Sequence, residues 1–373
     1  MKRVVAVVGG GPAGCYFAIM AARAGIEVLL FDRARGRKRR SIGEWLAPEG
    51  KTALERAGLW QRLPATLASR CETLRVAWER PVPSARSFIT NPHGCAWVLD
   101  RAGFDAWLLA QAELAGARCV AGASVQRARR TDGGWMLAIE TAEDASEVRA
   151  DFVVDATGRA GALTRSLGRR MIWRDPLCAL VCTAEPGAPE AGLAIEATSS
   201  GWWYAAQVPD GSLVAAFFTD ACLLPRGFRS DRAAFQRLLE EAPMTRAHLA
   251  SLQPREVVSA ATRAFDRVAG ERWLAIGDAA LTRDPLSGEG IAAAFRSAAA
   301  ARDVLIAWLG GDLDASSRYD ESGARARDAY LRARHAAYAT QRRFEAAPFW
   351  ARRCAAATRL KSTRTGCGSI RTR

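Results

Sequence analysis

The sequence predicts an α/β protein with a Rossmann-like N-terminal domain, an antiparallel β domain set into it and a helical C-terminal region. Three observations predict this. Residues 4–8 form a β-branched run that leads through Gly9-x-Gly11-x-x-Gly14 into a small-residue helix. Between residues 177 and 218, apolar runs of strand length alternate with turn residues. An Ala-rich stretch over 290–309 then opens a long helical tail.

Taken in order, the strand at 4–8 is followed by a helix over 13–24, which Gly25 stops. A second strand over 27–31 ends at Asp32 and closes a βαβ unit. The fingerprint glycines each have a reason: Gly9 makes the tight turn, Gly11 lets backbone approach a pyrophosphate, and Gly14 lets helix and strand pack closely. Pro12 and Ala13 open the helix, whose free N–H groups and positive dipole end suit phosphates. Asp32, with Arg33 after it, stands where an acid would accept the adenosine ribose hydroxyls. The fingerprint alone does not separate FAD from NAD.

Residues 100–115 read as a helix with Phe104, Trp107, Leu108 and Leu114 along one stripe. Strands are expected at 118–125, 135–141 and 147–154, a small antiparallel insertion around the turn Asp132-Gly133-Gly134. In the 177–218 region, Gly201-Trp202-Trp203-Tyr204 and the hairpin turn Pro209-Asp210-Gly211 mark the β domain. A buried strand at 273–276 runs into Gly277-Asp278.

Of the 373 residues, 49% are hydrophobic and 25% charged, which excludes a disordered chain, and no repeat period argues for a solenoid. No apolar stretch is long enough to span a bilayer, and the glycine run interrupts any signal-like segment after Lys2-Arg3. The nine cysteines show no framework spacing, so reduced thiols and a cytoplasmic location are expected. The three histidines, His93, His248 and His335, lie far apart, and no metal site is expected. The net charge is +14, and from Gly311 onward 14 Lys/Arg face 6 Asp/Glu. That tail reads as a solvated Arg-rich helical face, with docking to an acidic protein as the alternative. No nucleic-acid module accompanies the charge.

Two later segments carry a family resemblance. Asp155-Ala156-Thr157-Gly158-Arg159 follows one strand, and Gly277-Asp278-Ala279-Ala280-Leu281 with Asp284-Pro285-Leu286-Ser287-Gly288-Glu289-Gly290-Ile291 follows another. With the fingerprint, they resemble the p-hydroxybenzoate-hydroxylase-type FAD superfamily over residues 1–310. The resemblance implies a discontinuous FAD-binding domain of residues 1–75, 100–165 and 258–310. Residues 76–99 and 166–257 would form a β-rich substrate domain, and 311–373 a helical basic region. It further implies that Asp278 bonds a ribityl hydroxyl and that Gly158, Gly277, Pro285, Gly288, Gly290 and Ile291 line the flavin. Arg101 is similar to a family arginine on the FAD phosphate, backbone at Val125 would hold adenine, and Arg40 is a further cationic candidate. Glu289 reads as a first-turn carboxylate of the helix that follows.

Ser41-Ile42-Gly43-Glu44 together with Asp155-Ala156-Thr157-Gly158 is similar to the flavin-dependent tryptophan halogenase branch. Two departures argue against halogenation: Ala206 replaces the second tryptophan of WxWxIP, and no lysine lies between Lys51 and Lys361. Glu44 with Pro48, the Gly201-Trp202-Trp203-Tyr204 strand and the Asp-Pro-Leu-Ser stretch resemble halogenase-like flavoproteins that mature quinone-cofactor enzymes. The expected reaction is oxygenation of an electron-rich ring by O2 through a flavin C4a-hydroperoxide, on a tryptophan residue of a protein or peptide partner. Reducing equivalents would come from NAD(P)H or from a separate flavin reductase. Glu44 is the candidate catalytic group, with a structural bond to the helix ahead of it as the alternative, and Trp203 and Tyr204 the candidate pocket wall. A flavin reductase or dehydrogenase acting on a lipid-like or small aromatic substrate, and a partner-binding chaperone with structural FAD, are the competing readings.

Overall fold

The computed structural model describes residues 3–34, 43–185, 193–224, 232–246 and 252–354. Five parallel strands and one antiparallel edge strand form the central sheet. Their order is Ala269–Gly270, Trp273–Ala275, Phe152–Asp155, Val4–Val8, Glu27–Asp32 and Arg118–Ala121. The central strands are apolar along their length because both faces are covered. Helices Pro12–Arg23, Arg101–Leu114 and Gly290–Leu309 pack one face through Phe17, Phe104 and Phe295. An antiparallel sheet of Ser124–Thr131, Gly134–Glu140 and Ala145–Ala150 packs the other through Trp135, Leu137 and Ile139.

Two expected strands are each two strands. The run at 118–125 leaves the parallel sheet at Gly122, φ +74, and the run at 147–154 rejoins it at Asp151. There the Asp151 N–H donates to the Val4 carbonyl, and its carboxylate accepts the Val4 N–H at 2.8 Å. Both sheets share one apolar core, so the alternation runs unbroken through each change of sheet.

A second sheet of seven strands has the order Gln253–Ser259, Leu177–Ala184, Leu213–Asp220, Gly201–Gln207, Leu193–Thr198, Thr73–Ala77 and Ser84–Ser87. The expected domain edges at 75/76 and 257/258 fall inside two of these strands. Helix Arg232–Glu240 covers the outer face through Phe235 and Leu238. The inner face is closed by Trp78, Tyr338, Phe349 and Trp350, the last three from the C-terminal region.

The basic tail is not simply a solvated face. Within helix Ala315–Ala339 and the turn after it, most arginines are exposed, but the Arg334 and Arg353 side chains are 8% and 4% exposed. Each is buried on acids: Arg334 on Asp175 and Asp284, Arg353 on Asp220. A guanidinium leaves water only where carboxylates replace its hydration, and those acids lie 50 to 159 residues earlier in the chain, outside the reach of local pattern. The tail from residue 355 onward lies outside the described residues.

Candidate active site

The first glycine turn is closed by contact. A Cβ on Gly9, φ +114, would lie 2.2 Å from the Ala156 carbonyl oxygen, and one on Gly14 would lie 1.9 Å from the Gly9 carbonyl oxygen. Only backbone fits there. A Cβ on Gly10 would meet the Asp32 carboxylate at 2.9 Å, so the strand-end acid is drawn against the turn. Helix Pro12–Arg23 begins at Gly11 with no side-chain cap, leaving its first N–H groups open to a ligand. Asp32 itself is 5% exposed, and its carbonyl accepts the Ala123 N–H at 3.0 Å, which sets Ser124 and Val125 beside it. Arg33 is exposed, and Arg40, Ser41 and Ile42 lie outside the described residues.

The other motifs close on this turn from the far end of the chain. Gly277, φ +57, leaves room for the helix start: its Cβ would stand 2.8 Å from Ala13 Cβ. The Gly277 N–H donates to Ser297 Oγ at 2.8 Å, which ties the turn to helix Gly290–Leu309. Asp278, with a side chain 31% exposed, has its carboxyl raised by burial, opposed by Arg159, Arg283 and Arg101. Arg159 Nε reaches Asp278 Oδ2 at 3.5 Å and so joins the second motif to the third. Gly158 and Gly290 have open space where a side chain would be. The Pro285–Ser287 turn ends at Gly288, φ +62, whose Cβ would come 3.1 Å from Trp45 Nε1, and Ile291 anchors the following helix in the core. Glu289 is not the expected first-turn carboxylate. It occupies the N-cap position without capping, and its side chain turns outward to Arg296 at 3.0 Å.

Glu44 is 4% exposed, and its Oε2 accepts the Gly43 N–H at 3.2 Å. Burial raises its carboxyl above the ordinary range, with Arg101 opposing. It does not cap helix Pro48–Arg56, whose N-cap is Ala47 with no side-chain bond; its hydrogen bond goes to the Gly43 N–H instead. Arg101 grips Asp105 at 3.2 and 3.0 Å and donates to the Gly43 carbonyl at 2.9 Å, fixing the Glu44 segment from the helix start. Tyr204 reaches the same region. Its buried hydroxyl has no partner among the described residues, and its pKa is raised well above 10 by burial and then by Glu44 and Cys71.

Trp203 departs from expectation. It is 0% exposed, donates to the Leu238 carbonyl at 3.3 Å and packs under helix Arg232–Glu240 on Phe217 and Phe235. Successive strand residues point to opposite faces, so Trp203 and Tyr204 cannot share a wall; Trp202 is the tryptophan on the Tyr204 face. At three of the residues singled out in the sequence, the hydrogen bonding has no sequence signal. Asp155, 0% exposed, takes four hydrogen bonds from the N–H and hydroxyl of Thr157 and Thr164 at 2.6–2.9 Å. Asp284 accepts Leu286 N–H, Arg334 and Tyr338, and the Tyr204 hydroxyl has no partner among the described residues.

A family profile for FAD binding domains matches residues 2–333, spanning every strand and turn just described. The chain belongs to that FAD binding domain family. It is an FAD-dependent oxidoreductase of the p-hydroxybenzoate-hydroxylase type. A protein of Marinomonas mediterranea named as an FAD-dependent oxidoreductase, LodB, is 27% identical over 361 residues, covering 93% of this chain and 95% of that one. The solved structure of the peptidyl tryptophan dihydroxylase QhpG, essential for tryptophylquinone cofactor biogenesis, superposes with a TM-score of 0.77 at 26% identity. It covers 95% of this chain and 79% of that one. The flavin-dependent halogenase CmlS shares the fold with a TM-score of 0.83 at 22% identity, covering 98% and 71%.

The two glycine turns fit an FAD. A long ligand with a doubly charged pyrophosphate and a polar ring edge needs backbone free of Cβ atoms and uncapped helix N-termini. The turns at Gly9–Gly14 and at 288–290 supply both, and a Cβ on Gly158 or Gly290 would meet open space. Among the described residues, no helix is long and apolar enough to cross a membrane, no cluster holds a metal, and the eight cysteines are free thiols.

Proposed function

We propose that this flavoprotein hydroxylates an electron-rich aromatic ring, and that the ring is a tryptophan side chain of a protein or peptide partner. The observation that carries the reading is the buried Glu44 carboxyl, close enough to act on a buried Tyr204 hydroxyl that has no partner among the described residues. The kinship with QhpG supports the substrate class. Halogenation is disfavoured at two positions. Ala206 is 0% exposed in a small apolar cluster where the halogenase motif has tryptophan, and Lys51 is engaged with Glu55 on a helix surface.

In this scheme the Gly9, Gly11 and Gly14 backbone and the helix start at Pro12 and Ala13 hold the diphosphate. Asp32 accepts ribose hydroxyls, Arg33 flanks them, Val125 backbone meets adenine, and Arg101 faces a phosphate. Gly158, Gly277 and Asp278 hold the ribityl chain, while Pro285, Gly288, Gly290 and Ile291 face the pyrimidine edge, where the helix N-terminus stabilises negative charge. When bound, the flavin supplies two-electron reduction of O2. One oxygen atom goes to a ring carbon, and the other leaves as water. The two electrons come from NAD(P)H or from a reductase partner. Glu44 accepts the ring N–H and Tyr204 donates to the new oxygen, while the aromatic wall keeps water out.

The test combines the purified protein with FAD, a reductant, O2 and a tryptophan-containing peptide from a candidate partner, read by mass spectrometry. A gain of one or two oxygen atoms on the tryptophan is expected. Unmodified peptide alongside oxygenated small aromatics would overturn the substrate assignment. Reduced flavin indifferent to O2 favours the reductase reading instead.

A further inference from the structure

The motif Asp284-Pro285-Leu286-Ser287-Gly288 carries the glycine assigned to the flavin ring, yet what holds that turn in place comes from the C-terminal helix. We propose that Arg334 and Tyr338 are positioning residues for the turn over 284–288, acting on it through the buried carboxylate of Asp284. Asp284 is 1% exposed. Its Oδ1 accepts the Leu286 N–H at 3.1 Å, inside the turn, and its Oδ2 accepts Arg334 Nε and Tyr338 OH, both at 2.9 Å. One carboxylate therefore shapes the turn with one oxygen and fastens it to the helix with the other.

The fastening extends in two directions. Arg334 Nη2 also bonds Asp175 at 2.7 Å, at the entry to the seven-stranded sheet, so a single guanidinium is shared by two buried acids. The Tyr338 hydroxyl accepts the indole N–H of Trp202 at 3.1 Å, and Trp202 stacks on Phe218 with centroids 4.1 Å apart. The flavin-facing turn is thus tied to the inner face of the substrate sheet by a relay Trp202, Tyr338, Asp284. Arg334 further lies over the Tyr338 ring, 5.0 Å from its centroid.

The electrostatic consequence is specific. Asp175 and Asp284 share the Arg334 guanidinium, with Arg353 beside the same cluster over the Tyr338 ring. Replacing Arg334 by a neutral side chain removes one positive charge from behind the turn assigned to a ring that gains negative charge on reduction. This predicts a flavin effect in addition to a folding effect.

Three variants of the full chain test it: Arg334→Lys, Arg334→Met and Tyr338→Phe. The readouts are FAD affinity, from quenching of flavin fluorescence, and the flavin midpoint potential. Tyr338→Phe removes one hydrogen bond to a charged acceptor and is expected to weaken FAD binding about tenfold, equivalent to about 1.4 kcal/mol. Arg334→Met is expected to lower the midpoint potential, whereas Arg334→Lys retains the charge and recovers most of it. If Tyr338→Phe folds and binds FAD as tightly as the parent, or the potential is unchanged in Arg334→Met, the assignment is overturned. Should Arg334→Met fail to fold, the FAD affinity of Tyr338→Phe decides the question alone. None of these measurements depends on the substrate.

Discussion

Replacing Gly277 with alanine probes the joint between the two ends of the chain, and its cost divides into two parts. Gly277 sits at φ +57, where an L residue costs about 1–2 kcal/mol. The new Cβ would lie 2.8 Å from Ala13 Cβ, inside the optimal carbon separation of about 3.5–4.0 Å, and overpacking of this kind costs about 1–3 kcal/mol. Together, about 2–5 kcal/mol is lost from the free energy of unfolding. Ala13→Gly removes the atom that is struck, at a helix cost of about 1 kcal/mol. In the doubly substituted protein the steric part returns and the backbone part stays, so the cycle should show a coupling of about 1–3 kcal/mol. Urea unfolding of the four proteins without added FAD measures it, and flavin titration should rank their affinities in the same order. A coupling below about 0.5 kcal/mol, the range of independent sites, would refute the claim that the helix start and the Gly277 turn press on each other.

Asp155→Ala strips four donors of their acceptor in a fully buried setting and should cost about 3 kcal/mol or more in urea unfolding; a loss under about 1 kcal/mol contradicts its role as the anchor of the second motif. Tyr204→Phe deletes a hydroxyl with no partner among the described residues, so stability should hold or rise by about 1 kcal/mol while kcat falls; unchanged turnover removes Tyr204 from the reaction. Burial raises the Glu44 carboxyl above its ordinary 4.5, so the folded state keeps that proton to higher pH than the unfolded chain does. The stabilisation it brings is complete below the unfolded value and lost as pH rises through the folded one. Glu44→Gln escapes that loss, and its Tm relative to the parent should climb as pH rises above the ordinary carboxylate value and through the raised folded one; a flat difference refutes the burial effect.

Local pattern carried far where local geometry decides structure. The helix expected over 290–309 is Gly290–Leu309, and the strand at 4–8 is Val4–Val8. The split of the strands at Gly122 and Asp151 was not legible, because periodicity reports which face is apolar and not which sheet a strand joins. Trp203 shows the converse. The alternation that makes Gly201–Gln207 a strand already puts Trp203 and Tyr204 on opposite faces, but only the covering helix shows which face is sealed.

By itself the sequence determined the glycine turns, the acid at the end of the second strand and the family they belong to. These depend on neighbours within a few residues, where a missing Cβ or a helix start has one meaning. Tertiary structure decided what stands behind them: Arg334 on Asp175 and Asp284, Arg353 on Asp220, and, in the region of Glu44, a Tyr204 hydroxyl with no partner among the described residues. A buried charge needs a counter-charge from wherever the fold can bring one. Here the partners are 50 to 159 residues apart, a distance at which no spacing rule operates.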